Sequence, residues 1–135
     1  MSAAEAGSLF FLDTNILVYT FDGSSPAKQQ TARQLVRTAL ETQFGVISTQ
    51  VAQEFLNVAL RRFMPPLSTL EARAYLNQVL IPLCLHFPSA VYFEHALVVQ
   101  AETGYSWYDS LIVTAALEVG CATLYSEDLQ HNRMI

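Results

Sequence analysis

The apolar residues of this chain change their period along its length. Leu9, Phe10, Phe11 and Leu12 form a short unbroken apolar run that predicts a buried strand, and TNILVYTF behind it turns to helical spacing. Gly23 to Pro26 reads as a turn, after which Ala32, Leu35, Val36, Ala39 and Leu40 recur as one face of a helix. GVIS (45–48) is short and β-branched, and it runs into TQVAQEFLNVALRR, where Val51, Phe55, Val58, Ala59 and Arg62 share a face. Pro65 and Pro66 end that helix, and Ser68 with Glu71 forms a capping-box signature for the next, TLEARAYLNQVL. CLHF (84–87) predicts a third strand, and Pro88 opens a helix that ends by Gly104. Ser106 to Asp109 repeats the cap signature ahead of YDSLIVTAALEV, Gly120 closes that helix, and ATLYS (122–126) predicts a fourth strand.

Short strands alternating with amphipathic helices predict an α/β domain with a mostly parallel sheet. A chain of 135 residues supports one core, so residues 1–135 are expected to form a single domain, with 1–8 as a flexible extension. That extension, MSAAEAGS, lacks the basic region of a signal peptide. No Asp, Glu, Lys or Arg occurs between Arg73 and Glu94, but Asn77, Gln78, Pro82, His86 and Pro88 argue against a membrane span there. A cytoplasmic protein without membrane association is expected.

Composition narrows the function classes. Charged residues are 14% of the chain, against about 25% in a typical soluble protein, which points to apolar patches that face partners. A net charge of −5 with only seven basic residues excludes a broad basic footprint for nucleic acid. Any such contact must draw on a local patch among Lys28, Arg33, Arg37, Arg61, Arg62 and Arg73. Cys84 and Cys121 have neither pair nor ligand spacing and are expected as buried free thiols, while His86, His95 and His131 are scattered and read as structural. No GxSxG elbow, P-loop or GxGxxG is present.

The informative chemistry lies in the acids. Asp13 stands alone among uncharged residues in LFFLDTNILVY, and an ionised carboxylate there must be paired, hydrogen-bonded or bound to a metal. In parallel sheets active groups gather outside the carboxyl ends of the strands. Asp13 directly follows the first strand, Glu54 lies in the helix after the second, and Asp128 follows the fourth. Asp109 starts the helix leading into the fourth strand, which puts it at the opposite edge unless the preceding loop returns it. Bland roles compete: Asp13 and Asp109 as helix caps, and Glu54 in a polar row with Gln50, Asn57 and Arg61. Two carboxylates ~4 Å apart repel by about 4 kcal/mol at an effective dielectric of 20. A cluster of them therefore calls for protons or a cation, and oxygen donors suit Mg²⁺ or Mn²⁺ acting on phosphate.

Four segments in order, FLDTNILVY, STQVAQEFLNVALRR, YSWYDSLIVTAAL and LYSEDLQ, resemble the PIN-domain ribonucleases, and more closely the VapC-type toxins of prokaryotic toxin–antitoxin pairs. The resemblance implies a three-layer α/β/α sandwich with the acids converging at one end of the sheet, the third among them. It assigns Asp13, Glu54 and Asp109 to the central acidic triad and Asp128 to a fourth, more variable position, chosen over Glu127 for its spacing from Ser126. Thr14, Asn15 and Ser126 fall where polar side chains support the site. It further implies Mg²⁺ or Mn²⁺ as cofactor, hydrolysis of single-stranded or loop RNA, a cognate antitoxin as partner, and a homodimer. Related toxins continue beyond the S-E-D segment with another strand, whereas this sequence stops at Ile135, so an edge strand is expected to be missing or supplied otherwise. Competing expectations are a non-catalytic binding module of the same fold and a Mg²⁺-dependent phosphoryl-transfer domain. The latter fits less well, since a phosphatase wants D-x-D where D-T-N stands, and a receiver wants a late Lys where the only Lys is Lys28.

Overall fold

The computed structural model describes residues 7–126 and the backbone of residues 133 and 134. Its sheet has the order β3-β2-β1-β4-β5, with β1 (Phe10–Leu12), β2 (Gly45–Ser48), β3 (Cys84–His86) and β4 (Thr123–Tyr125) all parallel. The expectation of a missing edge strand is corrected, because residues 133 and 134 supply one: β5 (Arg133–Met134) pairs antiparallel with β4 at the sheet edge. Helices packed on this sheet complete the expected α/β sandwich: α1 (Thr14–Tyr19), α2 (Pro26–Thr42), α3 (Thr49–Arg61), α4 (Thr69–Tyr75), α5 (Ile81–Leu83), α6 (Ala90–Thr103) and α7 (Trp107–Val119). None of these helices is long and apolar enough to cross a membrane.

The centre of the sheet is where the unbroken apolar run lies. Phe10, Phe11 and Leu12 are fully buried because β1 has a strand on either side and helices over its faces. Val51, Phe55 and Ala59 of α3 pack on this core at helical spacing, each large side chain contributing about 1.5–3 kcal/mol of burial. The α7 segment from Ser110 to Ala116 is buried all round, and its two hydroxyls are satisfied within the helix, Ser110 Oγ donating to the Ser106 carbonyl at 2.8 Å and Thr114 Oγ1 to the Ser110 carbonyl at 2.6 Å. Gly45 opens β2 against α2: a Cβ there would stand 2.8 Å from the Phe10 ring and 2.8 Å from Ala39 Cα.

Local capping explains most element boundaries. The Ser68–Glu71 capping box forms in both directions, at 2.8 and 3.1 Å, and the helix it starts runs through a π-helical turn (Leu76–Leu80) into α5. The expected start of a helix at Pro88 is corrected. Ser89 is the cap, its Oγ accepting from Tyr92 N at 3.1 Å, so α6 begins at Ala90 and Pro88 stays outside it. The thiols also divide. Cys121 is buried, and burial pushes it up to about 12, whereas Cys84 is only partly buried because β3 is an edge strand.

Candidate active site

The chain runs from β1 to β2 on one side and later to β4 on the other, so the gap beyond the carboxyl ends of β1 and β4 is the switch point of the sheet. Leu12 is paired with Tyr125, which sets the next residues, Asp13 and Ser126, side by side. Asp13 N donates to the Tyr125 carbonyl at 3.1 Å, and Ser126 Oγ donates to Asp13 Oδ2 at 2.7 Å. The other carboxylate oxygen, Oδ1, accepts from Thr14 N at 2.7 Å and caps α1. Asp13 is therefore both a cap and a site residue. Only 4% exposed, it is held by directed donors, which is the condition for a buried carboxylate.

Asp13 opens onto a pocket of about 200 Å³ that Glu54 and Asp109 also line, together with Thr14, Asn15, Gln50, Val58, Tyr108 and Ile112. Each acid arrives by its own element. The cap at Ser48, whose Oγ accepts from Val51 N at 3.3 Å, starts α3 directly after β2 and brings Gln50 and Glu54 to the pocket on one face. Gly104, in the left-handed conformation at φ 74°, closes α6, and two residues later Ser106 caps α7 by accepting from Asp109 N at 3.1 Å. The loop thus returns Asp109 to the edge that holds Asp13. Spacing alone had left that position undecided.

Gln50, in the sequence only a member of the polar row of Glu54, ties two walls of the pocket together. Its Nε2 donates to Glu54 Oε1 at 3.1 Å and, more weakly, to the Tyr108 carbonyl at 3.4 Å. The signal existed, since Gln50 is four residues before Glu54 in the same polar row. Tyr92, whose hydroxyl donates to the Leu111 carbonyl at 2.9 Å, is pushed up to about 12 by burial and then by the Glu118 and Glu54 carboxylates. It stays protonated and offers no acid–base group at neutral pH.

Among the described residues no three His, Cys, Asp or Glu groups stand close enough to form a ready metal cluster. Asp13, Glu54 and Asp109 share a pocket without closing on one point. Its chemistry nonetheless fits a hard cation. All its anionic donors are carboxylates, and two further oxygens there, Thr14 Oγ1 and Gln50 Oε1, are buried without a hydrogen-bond partner. A divalent ion that keeps part of its water shell would suit such spacing, with Asp13, Glu54 and Asp109 to hold it. Asp128, with Glu127 beside it, lies outside the described residues, as does His131.

Two of the scattered histidines, His86 and His95, meet on one partner in a structural role. His86 Nε2 lies 2.8 Å from Glu118 Oε1, and His95 Nδ1 lies 3.0 Å from Glu118 Oε2, joining β3, α6 and α7. Nothing in the sequence marks this group, whose members are 32 and 23 residues from Glu118. They line no part of the carboxylate pocket.

In comparisons with known proteins, no curated sequence matches the chain. A family model described as PIN domain matches residues 10–134.

Proposed function

Because the chain belongs to the PIN-domain family, a nuclease fold that typically uses divalent metals, we propose that it is a metal-dependent endoribonuclease of the VapC type, the toxin of a prokaryotic toxin–antitoxin pair. The observation that carries this reading is the meeting of Asp13, Glu54 and Asp109, from three elements far apart in sequence, in one pocket at the switch point of a parallel sheet. The substrate is single-stranded or loop RNA, the cofactor Mg²⁺ or Mn²⁺, and the working protein a homodimer held in check by an antitoxin.

The roles follow from chemistry at named atoms. Asp13, Glu54 and Asp109 would hold the ion, with Asp128 as the fourth acid, two residues beyond the Ser126 that steadies Asp13. When bound, the ion lowers the pKa of a coordinated water and stabilises charge on the scissile phosphate. Ser126 Oγ and Thr14 N fix the Asp13 carboxylate, so the ligand is oriented before the ion arrives. Gln50 Nε2 fixes Glu54 in the same way, leaving Gln50 Oε1 to accept from a water. One of these carboxylates would also take the proton of the attacking water as general base, through its oxygen that does not hold the ion.

Induction of the chain in a bacterial host, beside Asp13→Asn at matched expression and with new RNA 5′ ends mapped, tests the toxin reading. Growth arrest with discrete new ends in the parent alone is expected. Equal growth and no new ends would reject it. The spacing of the acids favours one rival, a binding module that kept the fold without catalysis. Calorimetry separates the two, since the enzyme binds Mn²⁺ through Asp13 and the module binds none.

A further inference from the structure

A second concavity, of about 750 Å³, adjoins the carboxylate pocket and shares Val58 with it. Val18 comes from the last turn of α1 and Phe21 from just beyond it, and Arg62, Phe63 and Met64 follow the end of α3. Phe21 is backed by Phe63 at 5.1 Å, Tyr75 at 5.4 Å and Phe55 at 5.8 Å, yet it remains 40% exposed. Such a ring is held from behind and presents a rigid apolar surface in front. Met64, 94% exposed, forms a flexible rim.

Charge selects among occupants. The two acids of this groove are committed locally: Asp22 Oδ1 accepts from Ser24 N at 3.0 Å and Ser24 Oγ at 2.6 Å, and Glu71 Oε1 accepts from Ser68 N at 2.8 Å. Arg62 is exposed and, among the described residues, is the one cation lining the groove. A neutral, flat, aromatic group against the Phe21 ring, its anion turned to Arg62 and away from these two ionised carboxylates, suits this combination. The 200 Å³ carboxylate pocket has room for a phosphate and its ions, so the base of a strand entering it must be placed elsewhere.

We infer that the groove is a nucleobase subsite, receiving the unstacked base of a nucleotide that flanks the scissile phosphate, with Arg62 against that nucleotide's own phosphate. This rests on the nuclease reading above and adds to it a means of choosing single strands, whose bases alone are free to leave the stack.

The test uses binding, so that it stands apart from cleavage. A short single-stranded RNA carrying 2-aminopurine at successive positions is titrated with the parent, Met64→Glu and Arg62→Gln in chelator, where the strand stays whole. In the parent one position is expected to change its fluorescence, and an abasic residue at that position weakens binding about tenfold. Met64→Glu gives a similar loss in the intact RNA and no further loss in the abasic one. Arg62→Gln lowers the salt dependence by about 0.7 in log–log slope, as for one phosphate on a single strand. RNA binding that ignores both the abasic residue and the variants would overturn the inference while leaving the nuclease reading intact, and the groove would then belong to an apolar protein segment. A folded parent that binds no RNA in chelator and cuts none with Mg²⁺ or Mn²⁺ would overturn both.

Discussion

Asp13 concentrates the physical tension of this molecule. It ends the most buried strand, caps α1 and lines the pocket, and its charge is tolerated because Thr14 N and Ser126 Oγ point at it. Ser126→Ala leaves Asp13 Oδ2 without that donor, which is expected to cost about 1–3 kcal/mol and to lower the urea midpoint. If the ligand also loses its orientation, metal affinity falls about 10–100-fold, measurable by Mn²⁺ titration. An unchanged midpoint and affinity would mean that Ser126 does not support Asp13. At this scale the sequence was legible where a residue contradicted its surroundings, as an acid in an apolar run does. It was silent on the Glu118 group, because a contact across 32 residues leaves no periodic trace.

Elements were legible where local chemistry sets their ends. The capping box at Ser68 and the caps at Ser106 and Gly120 are side-chain and glycine effects within a few residues, and they formed as the sequence predicts. The start of α6 was misplaced because Pro at the first turn and Ser as cap compete within two residues, and the hydrogen bond to Tyr92 N favours Ser89. The fit between α2 and β2 was not legible, since it depends on Gly45 meeting Ala39 and Phe10. Gly45→Ala is expected to destabilise the fold by about 1–3 kcal/mol through overpacking, seen as a lower melting temperature.

The link among β3, α6 and α7 also belongs to this scale. Burial tends to raise the Glu118 carboxyl, but hydrogen bonds from His86 and His95, with their positive charge, outweigh it and hold Glu118 below its ordinary 4.5. A carboxyl depressed in the folded state contributes stability above its unfolded value, and that contribution is lost as pH falls through the folded value. Stability of the parent is therefore expected to decline below about pH 4.5 more steeply than that of Glu118→Gln. Parallel denaturation curves for the two across that window would show that Glu118 is not the cause.

For the whole molecule, the alternation of strands and helices predicts the parallel sheet, and the sheet places the acids after β1 and β2 at one end. Asp109 needed more than pattern, because its position depends on how the loop after Gly104 turns, and the family resemblance supplied that expectation. The low charge content has its counterpart on α6. Tyr92 and Ala96 are buried, but Val91, Phe93, Leu97 and Val98 remain exposed around the same helix, beside Leu85 and Phe87. A helix apolar on most sides is ordinarily an enclosed one, which supports the proposed homodimer. Light scattering is expected to give twice the chain mass for the parent and a single chain mass for Leu97→Glu. A parent that stays monomeric at micromolar concentration would remove the dimer from the account.

The most direct test of the central claim is cleavage by the purified protein. Single-stranded RNA is incubated with the parent, Asp13→Asn and Glu54→Gln, each with Mg²⁺, Mn²⁺ or chelator, and the products are resolved at single-nucleotide length. The parent is expected to make discrete cuts with either metal and none in chelator. Both variants should fall by at least about 100-fold with their circular dichroism unchanged. Cleavage that persists in chelator or in Asp13→Asn, or a folded parent that cuts no RNA with either metal, would contradict that claim.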